Sequence, residues 1–380
     1  MIRPRALLIA LALAAACGPA TPVTPAPVAD AKVAITDKTA GEIETLLQKR
    51  TESMRSKDLA GFQSTFDGSR SALRRCQGEA FEIASRQGTG AAPMVAKVEP
   101  YLDQYVRAYV GSETGGYQRL YFRRDSGRWI LTEPRDEELG GDRAKTINGI
   151  ELTYFGIDDD IVEVYAKAGA RARDVVLTTL RGKTGTPFGL RIFPTRGAAG
   201  PTVSCAVAGF HLPNTPKDQF IRLFSNGLTF KTGFAEMTES TVALIQHEGL
   251  HWAQDQFIPG ISARLDWWLA EGWPDYVGES RATATKKQVI CTTPTPTFKQ
   301  LVDGLLVTPE TLPELRSQYY SFANSMVEYL YATFGSDAYF ELMTAYKDDV
   351  DPKVTYPKVL KVTPEQFYDG WKAWSKQRFC

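Results

Sequence analysis

The sequence predicts an α+β protein with two folded parts behind an N-terminal targeting segment. Three observations carry this. The chain has 380 residues, room for two domains. Two series of helical and strand-like patterns follow one another, separated by a polar, Gly-containing stretch at 135–145. The second series ends in long helical patterns, the first of which holds His247-Glu-Gly-Leu-His251. Composition is 43% hydrophobic and 23% charged, which suits a globular chain with a sizeable core. Lys+Arg and Asp+Glu balance at 44 each, so no nucleic-acid partner is expected.

Arg3 and Arg5 precede an uncharged apolar run, Ala6 to Ala16. A span needs about 20 residues, so this run suits the core of a secretory signal instead. Leu13-Ala-Ala-Ala-Cys17-Gly resembles the lipobox of bacterial lipoproteins, with Ala14 where Leu is usual. The resemblance implies a signal peptide over 1–17, a lipid on Cys17 and a place in the cell envelope. Residue 18 is Gly rather than Asp, which points to the outer membrane. The alternative is an ordinary signal cut near Ala16 and a secreted protein. Residues 18–36 follow as a Pro/Ala/Thr-rich tether.

The first folded part, 37–134, opens with helical patterns over 37–62 and near 71–86. Strand patterns follow at 95–100, 104–110, 117–124 and 128–132, the last two joined by the turn Asp125-Ser-Gly. Helices followed by such a sheet, ending in Arg-x-x-Gly-Arg-Trp-x-Leu, resemble the NTF2-like domains. That implies an accessory domain, serving as a pocket, a dimerisation module or a spacer. The second part, 146–380, reads as strands at 150–155, 161–165, 190–194, 203–210 and 219–224, with 166–181 partly helical. Asp158-Asp-Asp160 reads as a solvated turn, since no alternating oxygen ligands follow it. His211, the third histidine of the chain, reads as incidental.

Thr238 or Ser240 can cap a helix that carries the pentapeptide, and Glu239 suits its positive end. Residues four apart share a helix face, so His247 and His251 can offer two imidazole nitrogens to one ion. Glu248 stands about 100° away around the axis. Two ligands and an adjacent carboxylate base are what a zinc hydrolase needs to activate water. Apart from Cys17, four cysteines remain: Cys76, Cys205, Cys291 and Cys380. Three pairings are open, as are free thiols.

Downstream stands Trp267-Trp-Leu-Ala-Glu-Gly-Trp-Pro-Asp-Tyr. With the pentapeptide, Trp-Leu-x-Glu-Gly-x-x-x-Tyr resembles the gluzincins, zinc metallopeptidases of the HExxH…E (peptidase MA-like) type. The resemblance implies a zincin-like domain over 146–380, with a sheet laid over the motif helix and a helical second half. It implies one Zn2+ per chain on His247, His251 and Glu271, with Glu248 as general base. It also implies that Asp275, one turn past Glu271, holds a ligand histidine from behind. Pro274 departs from the family, and proline removes a helical hydrogen bond, so a kink or late start is expected there. Tyr320-Ser-Phe-Ala-Asn-Ser-Met is similar to a helix of aminopeptidase-type gluzincins, which makes Tyr320 the oxyanion donor and Tyr319 the fallback. Gly-x-Met-Glu-Asn, which aminopeptidases use for the substrate amine, is absent, so an endopeptidase acting on peptides or proteins is expected. The alternative is a catalytically silent envelope lipoprotein that uses the fold for binding or scaffolding. Trp267 and Trp268 are read as core anchors.

Overall fold

The computed structural model describes residues 35–36, 38–182, 187–200, 203–205, 208–211, 220–278, 283–304 and 313–380. The signal, Cys17 and most of the tether lie outside the described residues. Where one long helix was expected, two form: Thr39–Arg55 (α1) and Leu59–Gln63 (α2). The chain reverses at Lys57, whose φ is +59°, and Asp58 caps α2 by accepting from the Gly61 amide at 2.9 Å. Ser71–Gln87 (α3) follows, then Met94–Tyr101 (β1), Tyr105–Ser112 (β2), Gly116–Asp125 (β3) and Arg128–Thr132 (β4) as an antiparallel meander in that order. Ile43, Phe62, Val106 and Phe122 are wholly buried in a core between the helices and this sheet.

The second sheet begins inside the stretch read as a linker. Asp142–Ile147 (β5) pairs with Ile150–Phe155 (β6) across Asn148-Gly149, both at positive φ as a tight hairpin turn requires. β5 exposes nearly all its side chains, so its sequence lacks the alternation that marks a strand. Ile161–Tyr165, expected as a strand, instead opens a helix, Val162–Thr178 (α4). Val162, Tyr165, Ala166, Gly169, Ala172 and Val176 recur at three- and four-residue steps and are buried, which is a helical pattern. Gly189–Phe193 (β7), Arg196–Ala199 (α5), Gly209–Phe210 (β8) and Ile221–Phe224 (β9) complete this half. Of the expected strand over 203–210, the described residues show strand only at Gly209–Phe210. The sheet order is β5-β6-β7-β9-β8, with β6, β7 and β9 parallel and both edge strands antiparallel.

Helices make up the rest: Glu239–Phe257 (α6), Trp267–Val277 (α7), Thr283–Thr292 (α8), Phe298–Asp303 (α9), Pro313–Phe334 (α10), Asp337–Asp348 (α11), Pro352–Val359 (α12) and Pro364–Phe379 (α13). α10 ends at Gly335, whose φ of +85° is the expected stop, and Thr363 caps α13 ahead of Pro364. The motif helix α6 lies against α4. A Cβ on Gly249 would stand 2.9 Å from Val176 and 3.0 Å from Phe188, so the small residue inside the pentapeptide is a packing requirement.

Several contacts tie the two halves together. Tyr117 and Phe230 exchange backbone hydrogen bonds of 2.9 Å each way. Arg119, wholly buried, pairs with Asp158 and reaches Asp160 at 3.3 Å. Asp158 is therefore wholly buried, not part of a solvated turn. Of the three possible pairings the chain takes Cys76–Cys205, which joins α3 to the second half, and Cys291–Cys380. Two disulfides suit an oxidising compartment. Among the described residues no helix is long and apolar enough to cross a membrane.

Cys291–Cys380 closes a sequence separation of 89 residues and pins the chain's last residue to α8. Replacing both cysteines by serine is expected to lower the unfolding free energy by about 2–5 kcal/mol. Urea titration of the oxidised protein and the variant measures this, and coincident midpoints would show that the bond contributes nothing.

Candidate metal centre

The centre is built from three helices. α6 starts on Thr238, whose hydroxyl accepts from the Thr241 amide at 3.3 Å. The helix then carries His247 and His251 on one face, one turn apart, with ring centroids 5.0 Å apart. α7 brings Glu271 to them. Its Oε2 lies 3.3 Å from His247 Nε2 and 3.4 Å from His251 Nε2, and the two Nε2 atoms are 3.3 Å apart. α10 adds Tyr320, whose hydroxyl donates to the same Oε2 at 2.9 Å. The Glu-Gly of the motif explains that approach. A Cβ on Gly272 would stand 2.5 Å from the Ala323 carbonyl oxygen, so only glycine lets α10 lie this close to α7.

The three donor atoms form a nearly equilateral triangle. Donors at 2.0–2.1 Å from a tetrahedral zinc stand about 3.3–3.4 Å apart. The triangle has that edge, and two imidazoles with one carboxylate are a donor set of catalytic zinc sites, so the residues fit the ion. Charge in the metal-free centre follows the same layout. Burial works against the His251 imidazolium, but Glu271 outweighs it and holds the ring up to about 9. Burial likewise opposes the Glu271 carboxylate, yet the two histidines hold it well below the usual range. Burial first, and then Glu271, push the Tyr320 phenol well above its ordinary value, so it stays a donor. Binding of a cation by these groups would release protons.

Glu248 lies on the neighbouring face of α6, toward edge strand β8. Its Cγ is 3.5 Å from where a Cβ on Gly209 would stand. The carboxylate is largely buried and has no hydrogen-bond partner among the described residues. Its charge acts on both His251 and Tyr320. The structure brings His247, His251, Glu271 and Tyr320 together, and Glu248 lies on the neighbouring face of the same helix.

α7 runs through Pro274 from Trp267 to Val277. Asp275 is buried and accepts from Asn324 Nδ2 at 3.2 Å. The back of the His251 ring belongs to a residue that motif reasoning missed, since Gln254 Oε1 lies 3.0 Å from its Nδ1. Trp268 is wholly buried and donates to the Tyr356 hydroxyl at 3.0 Å, as a core anchor should. Trp267 is half-buried against the same core and also meets Tyr320 edge-on at 5.3 Å. His211 is not incidental. Its Nε2 meets Asp255 Oδ2 at 3.0 Å, and Asp255 also accepts from Ser262, so His211 is pinned to the motif helix. Only the tertiary structure could reveal that pair, because 44 residues separate its members.

No protein-family model matches the chain, and no curated protein is similar to it.

Proposed function

We propose that this protein is a zinc-dependent endopeptidase of the gluzincin type, with an NTF2-like accessory domain ahead of a zincin-like catalytic domain. The observation that supports this most is the triangle of His247, His251 and Glu271 donors with tetrahedral spacing, flanked by the Glu248 carboxylate and the Tyr320 phenol. A zinc ion held by His247, His251 and Glu271 would supply polarisation of the scissile carbonyl and a more acidic attacking water. Glu248 accepts the water proton and delivers it to the leaving amine. Tyr320 donates to the carbonyl oxygen as negative charge develops there. Edge strand β8, beside Glu248, offers backbone groups with which an extended peptide can pair. Asp275 holds a ligand histidine from behind. The lipidated Cys17 holds the enzyme at the bacterial envelope.

Metal analysis of the purified soluble part, joined to a peptide-library digest with and without chelator, tests the reading. About one zinc per chain and chelator-sensitive cleavage are expected. Less than one zinc and no cleavage would leave the binding or scaffolding role. Tyr320→Phe is expected to keep its zinc and lose about a hundredfold in kcat with little change in KM. An unchanged kcat would make Tyr320 a packing residue.

A further inference from the structure

We infer that Gln254 is the positioning residue that sets the His251 tautomer, and that Pro274 holds Gln254 in the orientation this requires. The inference rests on the metal-binding part of the reading above, and donor–acceptor logic fixes each link. His251 turns Nε2 toward His247 and Glu271, and Nδ1 toward Gln254 Oε1 at 3.0 Å. An amide oxygen only accepts, so Nδ1 keeps its hydrogen, and Nε2 is the nitrogen that gives up its proton when the ring binds a metal. A glutamine amide can be flipped, and the flipped form would present its NH2 to Nδ1 and favour the wrong tautomer.

The flip is blocked at the other end of the side chain. Gln254 Nε2 donates to the Ala270 carbonyl at 2.9 Å, and a carbonyl can only accept. That carbonyl needs a donor because of Pro274. In α7 the helical partner of Ala270 is residue 274, and proline has no N–H. The vacancy is filled from the neighbouring helix. Gln254 is wholly buried, Ala270 and Pro274 are buried, and Tyr339, also wholly buried, meets the same Nε2 at 2.7 Å. The proline that breaks the family pattern thus creates an acceptor, the acceptor orients an amide, and the amide orients a ligand.

Competition with a chromophoric chelator measures the zinc Kd of the metal-stripped protein without reference to cleavage. Gln254→Met is expected to weaken zinc binding by about 10–100-fold. Pro274→Ala supplies the missing N–H, releases Gln254 from Ala270, and is expected to weaken zinc binding by about threefold to tenfold while raising the Tm. In the Gln254→Met background, Pro274→Ala should no longer change the Kd, because the link it acts through is gone. Gln254→Glu combined with Pro274→Ala keeps an acceptor for Nδ1–H and should bind zinc better than Gln254→Met. Two outcomes overturn the inference. One is Gln254→Met binding zinc within about twofold of wild type. The other is the two single effects adding in the double variant. A wild type that takes up no zinc overturns the peptidase reading as well, whereas a wild type that binds zinc but cleaves nothing leaves this inference standing.

Discussion

Glu248→Gln is expected to lower peptide turnover by about 10²–10⁴-fold, the range for losing a general base, with the zinc content unchanged. The two halves of this expectation have separate structural causes. Glu248 has no place in the donor triangle, which is closed by His247, His251 and Glu271. An amide at 248 therefore removes no metal ligand. It does remove the one carboxylate beside the triangle that has no hydrogen-bond partner among the described residues. Glutamine matches glutamate in size, so the contact toward Gly209 on β8 is kept. The measurement is kcat on a fluorogenic peptide beside metal analysis of the same sample. Glu271→Ala is the contrasting variant, since it opens the triangle and should lose zinc and turnover together. Equal turnover by Glu248→Gln and wild type would end the peptidase reading even if the metal is there.

Arg119→Met is expected to destabilise the fold by about 3–5 kcal/mol, because it strands a carboxylate in the protein interior. Arg119 on β3 and Asp158, just after β6, are both wholly buried. Asp160 shares the cluster, accepting from Arg119 at 3.3 Å and from Arg107 at 2.5 Å, and Arg107 also reaches Glu99 at 2.7 Å. Removing one guanidinium leaves Asp158 without its partner, and a buried unpaired charge costs far more than the pair contributes. The same reasoning predicts that Arg119→Met with Asp158→Leu recovers most of the loss, since an apolar pair of similar volume is often no less stable. Denaturant unfolding of the two variants measures both numbers. A double variant no more stable than the single one would show that the pair carries specific structure beyond its charge.

Local patterns were legible where one face of an element is buried and the other is not. All four strands of the first sheet, helices α3, α10 and α13, and the Thr238 cap could be read, because alternation, helical spacing and capping residues are written within a few neighbouring positions. The reading failed where burial did not follow that rule. β5 exposes both faces and so carried no alternation. The opening of α4 has Ile161, Val162 and Tyr165 buried together, which in five residues looks like a strand and only over seventeen like a helix. Asp158 looked solvated because its partner Arg119 is 39 residues away.

For the centre itself, the sequence alone paired the two histidines on one helix face and put Glu248 beside them. Helical geometry puts residues four apart on one face, so His247 and His251 needed no tertiary information to be paired, and Glu248 followed from the same geometry. The tertiary structure decided what brings Glu271 and Tyr320 to them and what holds the rings. Gly272 admits α10 to within contact of α7, and the carbonyl left open by Pro274 recruits Gln254 behind His251. Those relations join helices that are distant in sequence. Their physical cause is close packing and the need of every buried acceptor for a donor, and neither leaves a periodic signature along the chain.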